Sequence, residues 1–505
     1  MRKSVLAPIW LAIACFVIAC LATPPCSRVR AQTPAGAPAA GAGTLPALSA
    51  EAQQKLHRLQ AAVRTAHASH DPAKEAAALN QLGEFYLLIS EEKKALDAYN
   101  QALPLARAAN DRPLEASTIN GIAACYRTES ANDKALATYQ QALDEATAAG
   151  DEKDQVIALT GMGWVNGNLR EYQKALDFHN KALALAQKLK DPDLEAQVLN
   201  RIGIINDDLG NNAQALDFYD QALAQWRAAG DEDGEAKALN NLGILASEIG
   251  DPPLALHYYQ QALPLYQQAG DRAGEAGVLN NIGILYRTTG DEQKALATYK
   301  RVLSLQRALG NRSGQAAALT NLGNVQSDLG DNTESIKTFN EAIDLHRSLN
   351  EANGLAGDLH NIAGVWVHLG ELEKALDALN QALPLWTSAG QRRGQVSTLN
   401  AIGIVYDDLG QQELAATYYR RALNLYKDLQ DPTGQADVLN NLAGVFTAPE
   451  ERERAIACFN LALQLEQAAQ DRDGQARILD NMGLVYEDMG QKDKARASYE
   501  QALQI

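Results

Sequence analysis

The chain has little cysteine for its 505 residues, and the cysteines are poorly placed for cross-linking. Three of the five, Cys15, Cys20 and Cys26, fall at the N-terminus, leaving Cys125 and Cys458 far apart and without metal-ligand spacing. A disulfide framework and a zinc site are both excluded, and thiols packed as small apolar groups remain. Aromatic residues make up only 6%, with no β-branched enrichment to argue for sheet. Catalytic spacings are missing too: there is no His-Glu-x-x-His, no Gly-x-Ser-x-Gly and no Gly-x-x-x-x-Gly-Lys-Ser/Thr loop. His360 and His368 lie more than two turns apart on one helix, too far to share a metal unaided. No enzymatic activity, cofactor or metal is therefore expected.

Positive charge is also short, at a net −17. Arg2, Lys3, Arg28 and Arg30 sit in the first 31 residues without an acid, so the remainder is more acidic still. Such a surface repels phosphate, which excludes nucleic acid; a neutral or basic protein or peptide suits it better. Long apolar runs are scarce, and one, Val5 to Ala22, follows the basic Met1-Arg2-Lys3 as in a secretory signal. Cleavage after Ala22 or Ala31 is one reading. Acylation at Cys20 is a second, because Val17-Ile18-Ala19-Cys20 resembles a bacterial lipobox, and an uncut membrane anchor is a third. All three place the chain outside the cytoplasm, in the periplasm or beyond the cell, with membrane contact only through the N-terminal segment. Residues 32–48, rich in Ala, Pro and Gly, read as a flexible linker, and Ser49 as the N-cap of a helix over residues 49–70 that covers the first repeat.

What the chain has in abundance is repetition. Val278-Leu279-Asn280-Asn281-Ile282-Gly283-Ile284-Leu285-Tyr286 returns in close copies every 40 residues, giving eleven repeats over 71–505, the last one shortened. Leu279, Ile282, Gly283 and Tyr286 are spaced i, i+3, i+4, i+7, one buried stripe of a helix. Each repeat reads as two helices. Helix A of the sixth repeat spans Ala273 to Thr289 and stops at Gly290; Asp291 caps helix B, which runs to about Leu309. Gly270-Asp271-Arg272-Ala273-Gly274 reads as the linker between repeats. Pro104, Pro264 and Pro384 fall inside helix B, where a kink or exposed final turns are expected.

Leu79, Leu82, Gly83, Tyr86, Ala95, Tyr99 and Ala102 resemble the tetratricopeptide repeat signature in order and spacing, although the usual repeat has about 34 residues. The longer repeat is similar to kinesin light chain arrays and to bacterial arrays that precede CHAT protease domains; with the sequence ending at Ile505, no protease domain is expected. The resemblance implies an all-α, right-handed solenoid whose helices A line a concave groove. It also implies that a row of Asn there holds the backbone of an extended peptide. In this sequence that row is Asn80, Asn120, Asn200, Asn240, Asn280, Asn400 and Asn440, with Thr160, Thr320, His360 and Asp480 as polar substitutes. Each amide has two donors and an acceptor, and bonding between neighbouring helices is the competing role for it. Ile204, Ile244, Ile284 and Ile404 would add apolar contact one turn on. Asp207 and Asp407, with other acids near the end of helix A, would form an acidic rim that prefers Lys or Arg. The expectation is a non-catalytic binding scaffold of the cell envelope. A sensor subunit for a separately encoded protease or kinase, or an envelope assembly part, are the alternatives.

Overall fold

A computed structural model of the protein describes residues 50–505 apart from Ser90; the readings for the export signal, the linker and Ser49 lie outside the described residues. A helix over Ala50–Ala68 precedes eleven helix pairs, and the described residues contain no strand. They form two compact bodies: repeats 1–6 with the leading helix, up to Gly310, and repeats 7–11 from Asn311 onward.

Each repeat is punctuated by two residues that serve two helices. Gly150 adopts φ +71°, donates to the Thr147 carbonyl, and lets the Asp151 N–H reach back to the Ala146 carbonyl, which satisfies the last carbonyls of helix B. Asp151 then turns its carboxylate to the Asp154 N–H at 3.1 Å and opens the next helix A. The same carboxylate cap occurs at Asp191, Asp231, Asp271, Asp431 and Asp471.

Two expectations fail here. Asp291 does not cap helix B (Glu292–Ala308) through its side chain; its carboxylate is drawn instead to Lys294 Nζ at 2.7 Å. Nor is Gly274 part of a linker, because helix A begins at Arg272. Gly274 is required by packing: a Cβ there would stand 2.3 Å from the Tyr266 ring of the preceding helix B.

The left-handed position after a helix is not always glycine. Lys190, Gln430 and Gln470 hold φ of 56°, 53° and 59°, where a Cβ crowds the following carbonyl. Gln430→Gly is therefore expected to stabilise the second body by about 0.5–1 kcal/mol, read as a higher urea midpoint at unchanged m-value. A lower midpoint would count against it.

The core repeats with the sequence. Ala95, Ala135, Ala175, Ala215, Ala255 and Ala295 are fully buried, and Tyr99, Tyr219, Tyr259 and Tyr299 nearly so. Each of these tyrosines lies over a glycine of its own helix A: a Cβ on Gly203, Gly243 or Gly283 would approach the ring to 2.7, 2.4 and 2.7 Å. In repeat 8 both partners change together, to Ala363 and Leu379, and both are buried.

The prolines do not end their helices. Helix B continues four residues past Pro104, Pro264 and Pro384, and all three prolines are exposed. On that side, water can satisfy the carbonyl one turn back. In repeat 10, helix A stops early at Val445 and a short 3₁₀ turn, Pro449–Glu451, replaces the glycine turn.

Consecutive helices A touch one another within each body, whereas helices B meet mainly the helices A on either side. This asymmetry curves each stack with helices A on the inner side.

Candidate functional site

The Asn row lies between successive helices A. Asn80, Asn120, Asn200, Asn240, Asn400 and Asn440 are all buried. In the regular repeats the second Asn of each pair reaches back one repeat. The amide nitrogen of Asn241 donates to Asn200 Oδ1 at 2.9 Å, Asn281 to Asn240 at 3.0 Å, Asn441 to Asn400 at 3.2 Å and Asn481 to Asn440 at 2.9 Å. At other junctions a different side chain makes the bond to the row. Asn80 donates to Ser117 and accepts from Thr118; Asn120 donates to Asp154 at 3.1 Å; Thr320 donates to Asp358 at 2.5 Å; His360 meets Thr398 at 3.2 Å. Asn280 is only half-buried.

Burial between backbones demands a partner for each amide, and the next repeat supplies it, which is the inter-helix role that the sequence also allowed for this row. The tandem Asn240-Asn241, Asn280-Asn281 and Asn440-Asn441 was the sequence trace of this ladder. The bonds leave a directional remainder. Asn200, Asn240, Asn400 and Asn440 use their oxygen as acceptor, and their N–H groups have no protein acceptor among the described residues.

Ile204, Ile244 and Ile404 are half-buried, and Ile284 is 38% exposed. They form the open row of the helix A face. The acidic rim is less open than expected. Asp207 is buried, with the Tyr219 hydroxyl 3.5 Å from its Oδ2, because helix B packs over the end of helix A at that point. Asp407 is half-buried, and burial, helped by the charge of Asp408, raises its pKa to about 6. Burial also raises Asp154 to about 6, against the Asn120 hydrogen bond.

In the second body a cavity of about 60 Å³ opens between helix A of repeat 8 (Ala352–His368) and helix A of repeat 9 (Arg392–Asp408). Ile404, Ala401, Val367 and Gly364 give it an apolar lining, with His360 and Asn361 at one side. Burial pulls the His360 pKa down to about 4, so the imidazole is neutral at pH 7. The pocket has room for an apolar side chain. Among the described residues no group of three His, Cys, Asp or Glu is placed to hold a metal ion, and no helix is long and apolar enough to cross a membrane.

The tetratricopeptide repeat profile matches residues 114–188, 194–268, 274–348, 356–428 and 434–505. The chain belongs to the tetratricopeptide repeat family. No curated protein matches it. Among solved structures it is similar to the apo form of the quorum sensor NprR from B. thuringiensis, at 17% identity and a TM-score of 0.50, over 74% of this chain and 98% of that one. It is also similar to a Rap protein complexed with Competence and Sporulation Factor, at 14% identity and a TM-score of 0.48, over 71% and 99%. The putative kinesin light chain repeats of Podosopora anserina match at 14% identity and a TM-score of 0.34, over 38% and 95%. At these identities the likeness is one of fold. A tetratricopeptide repeat array of this kind is a protein interaction scaffold.

Proposed function

We propose that the chain is a non-catalytic, exported scaffold that binds an extended peptide segment of a protein partner along its helix A face. The observation that carries this reading is the directional remainder of the Asn ladder. Asn200 and Asn240 in the first body, and Asn400 and Asn440 in the second, accept from the next repeat and keep N–H groups available for a peptide carbonyl. Ile204, Ile244, Ile284 and Ile404 lie one turn on, where peptide side chains would rest. Packed helices stand about 8–10 Å apart and an extended peptide advances about 3.3 Å per residue, so each repeat would take about three residues. A preformed surface of this kind spends little ordering entropy on binding. Export rests on the apolar run after Met1-Arg2-Lys3, and the leading helix Ala50–Ala68 serves as the cap of repeat 1.

Two substitutions separate the amide's two roles. Asn281→Ala and Asn240→Ala remove the same inter-repeat hydrogen bond and are expected to cost similar stability, about 1–2 kcal/mol. Asn240→Ala also removes the outward donor. Against peptides selected by random display on the immobilised chain, Asn240→Ala should weaken binding at least fivefold more than Asn281→Ala. Equal losses in both variants would make the ladder structural alone.

A further inference from the structure

The Asn ladder breaks at repeats 8 and 9. Thr320 stands where repeats 4–6 carry Asn200, Asn240 and Asn280, and its hydroxyl is given to Asp358. Asn361, the second Asn of repeat 8, does not reach back to it. The Asn361 amide is half-buried and makes no hydrogen bond among the described residues. The next link is missing as well: Ala401 replaces the Asn that stands as Asn241, Asn281 and Asn441 elsewhere, and His360 meets the Thr398 hydroxyl instead. The open apolar row is interrupted at the same place, because Gly364 stands where Ile204, Ile244, Ile284 and Ile404 stand. With no side chain at Gly364 and only a methyl at Ala401, the space between the two helices A is left as the cavity of about 60 Å³. Leu379 and Val405 are buried beneath it, Val367 and Ile404 are half-buried beside it, and no Asp, Glu, Lys or Arg lines it.

A water molecule takes about 30 Å³ and is held only where it finds roughly two to four polar partners. The cavity has room for about two waters by that measure, but its walls are mostly apolar, so apolar groups displace water from it at a gain. A methyl group is close to a water in size. The space therefore matches the two-methyl tip of Leu or Val, and a Phe ring is too large for it. Beside the cavity, Asn361 offers two donors and an acceptor that no other side chain claims. An apolar hole next to an unclaimed amide is the complement of one residue of an extended peptide, with its side chain in the hole and its backbone on the amide.

We propose that this cavity is a subsite for a branched aliphatic side chain, Leu or Val, of the bound peptide, and that Asn361 holds the backbone of the same residue. The residue seated between repeats 8 and 9 is therefore uncharged, even though the chain carries −17 overall. Because the hole lies where these repeats leave the regular pattern, it fixes the register of a peptide that the uniform repeats alone would let slide. The proposal rests on the helix A face being the peptide-binding surface, and it is tested separately from that reading.

The probe is N-acetyl-leucine N-methylamide, which carries one side chain between two peptide groups. In protein with ¹³C-labelled isoleucine methyl groups, the resonance that disappears in Ile404→Leu is assigned to the cavity wall. The Leu and Val compounds are expected to shift it saturably at millimolar concentration, while the Lys and Phe compounds leave it in place. The Leu compound should bind about tenfold more tightly than the Ala one, since each buried methyl contributes about fourfold. Gly364→Ile gives repeat 8 the side chain that repeats 4–6 carry there, and should abolish the shift without lowering the melting temperature. Asn361→Ala leaves the cavity in place and should weaken the Leu compound about fivefold. The proposal is overturned if the Leu compound leaves the resonance unmoved, or if the Lys or Phe compound moves it as far. It is equally overturned if the folded variants bind the Leu compound as tightly as wild type. A chain that binds its display-selected peptides through Asn240 but whose Ile404 ignores the Leu compound would lose this subsite and keep the groove.

Discussion

His346→Ala is expected to destabilise the junction of repeats 7 and 8 by about 3–5 kcal/mol. His346, on helix B of repeat 7, puts Nδ1 2.6 Å from Asp358 Oδ2 on helix A of repeat 8, and Thr320 donates to the other carboxylate oxygen at 2.5 Å. Asp358 is fully buried and His346 is 6% exposed. Burial raises the Asp358 pKa, while His346 and Thr320 oppose that shift. Without the imidazole, the carboxylate keeps only the Thr320 hydrogen bond in a dry interface and leaves its other oxygen unsatisfied. Removing one partner of a buried pair is costly, whereas replacing both with well-packed apolar groups is often neutral.

The chain itself supplies that replacement. At the matching positions of other junctions stand Tyr266 with Val278 and Tyr426 with Val438, all buried. The aromatic lies over Gly274 or Gly434 just as His346 lies over Gly354. His346→Tyr with Asp358→Val should therefore return the junction to within about 1 kcal/mol of wild type. Thr320 retains its bond to the Ala316 carbonyl. Because repeat arrays need not melt as one unit, amide exchange in the helices Arg312–Asp328 and Ala352–His368 is the measurement, with thermal melting beside it. Wild-type protection in His346→Ala, or a double variant as weak as the single, would refute the assignment.

These junctions also show what could be read before the structure. The stripe of Leu279, Ile282 and Gly283 specified a buried helix face because helical period and burial have the same geometric cause. The pairing of Gly with Tyr sixteen positions on is legible for the same reason, as small against large within one helix pair. The direction of Asn240 was not legible. A flank position on helix A can face solvent or the next helix A, and only the distance between those two helices decides which. The burial of Asp207 was not legible either: its spacing placed it at the end of helix A, but the phenol of Tyr219 comes from a different helix. The cavity beside Asn361 joins two repeats, so no pattern within a single repeat reveals it; the trace was that Gly364 and Ala401 both break the repeat at open positions.

Glu466→Tyr is expected to stabilise repeats 10 and 11 by about 1–3 kcal/mol at pH 8, and by much less at pH 5. Glu466 occupies the position of Tyr266 and Tyr426 and is fully buried over Gly474, where a Cβ would stand 2.7 Å from its carboxyl carbon. Neither carboxyl oxygen has a hydrogen-bond partner among the described residues. The charges facing it are Asp437, Asp471 and Asp431, which disfavour ionisation, and Arg477, which favours it. Arg477 is committed to Asp437 at 2.6 Å. Burial first, and those acids second, raise the Glu466 pKa from 4.5 to about 7.

The sign follows from proton binding. Between pH 4.5 and 7 the folded state holds a proton that the unfolded chain releases. The contribution of Glu466 to stability is therefore complete below about pH 4.5 and is lost as pH rises through 7. Tyr removes both the charge and the unmet carboxylate, with the side chain that two other junctions already accept. Glu466→Gln is the control, because it is neutral throughout: it should flatten the pH dependence of this junction between 5 and 8 while leaving an amide to be satisfied. Amide exchange in Arg472–Asp488 at the two pH values distinguishes the outcomes, after correction for the intrinsic pH dependence of exchange. Equal stability of wild type at pH 5 and 8, or a Gln variant that keeps the slope, would place the ionisation elsewhere. The junction is an informative one because its fault is electrostatic and not steric: the Gly474 seat fits, and the group placed in it is charged at the wrong end of the pH range.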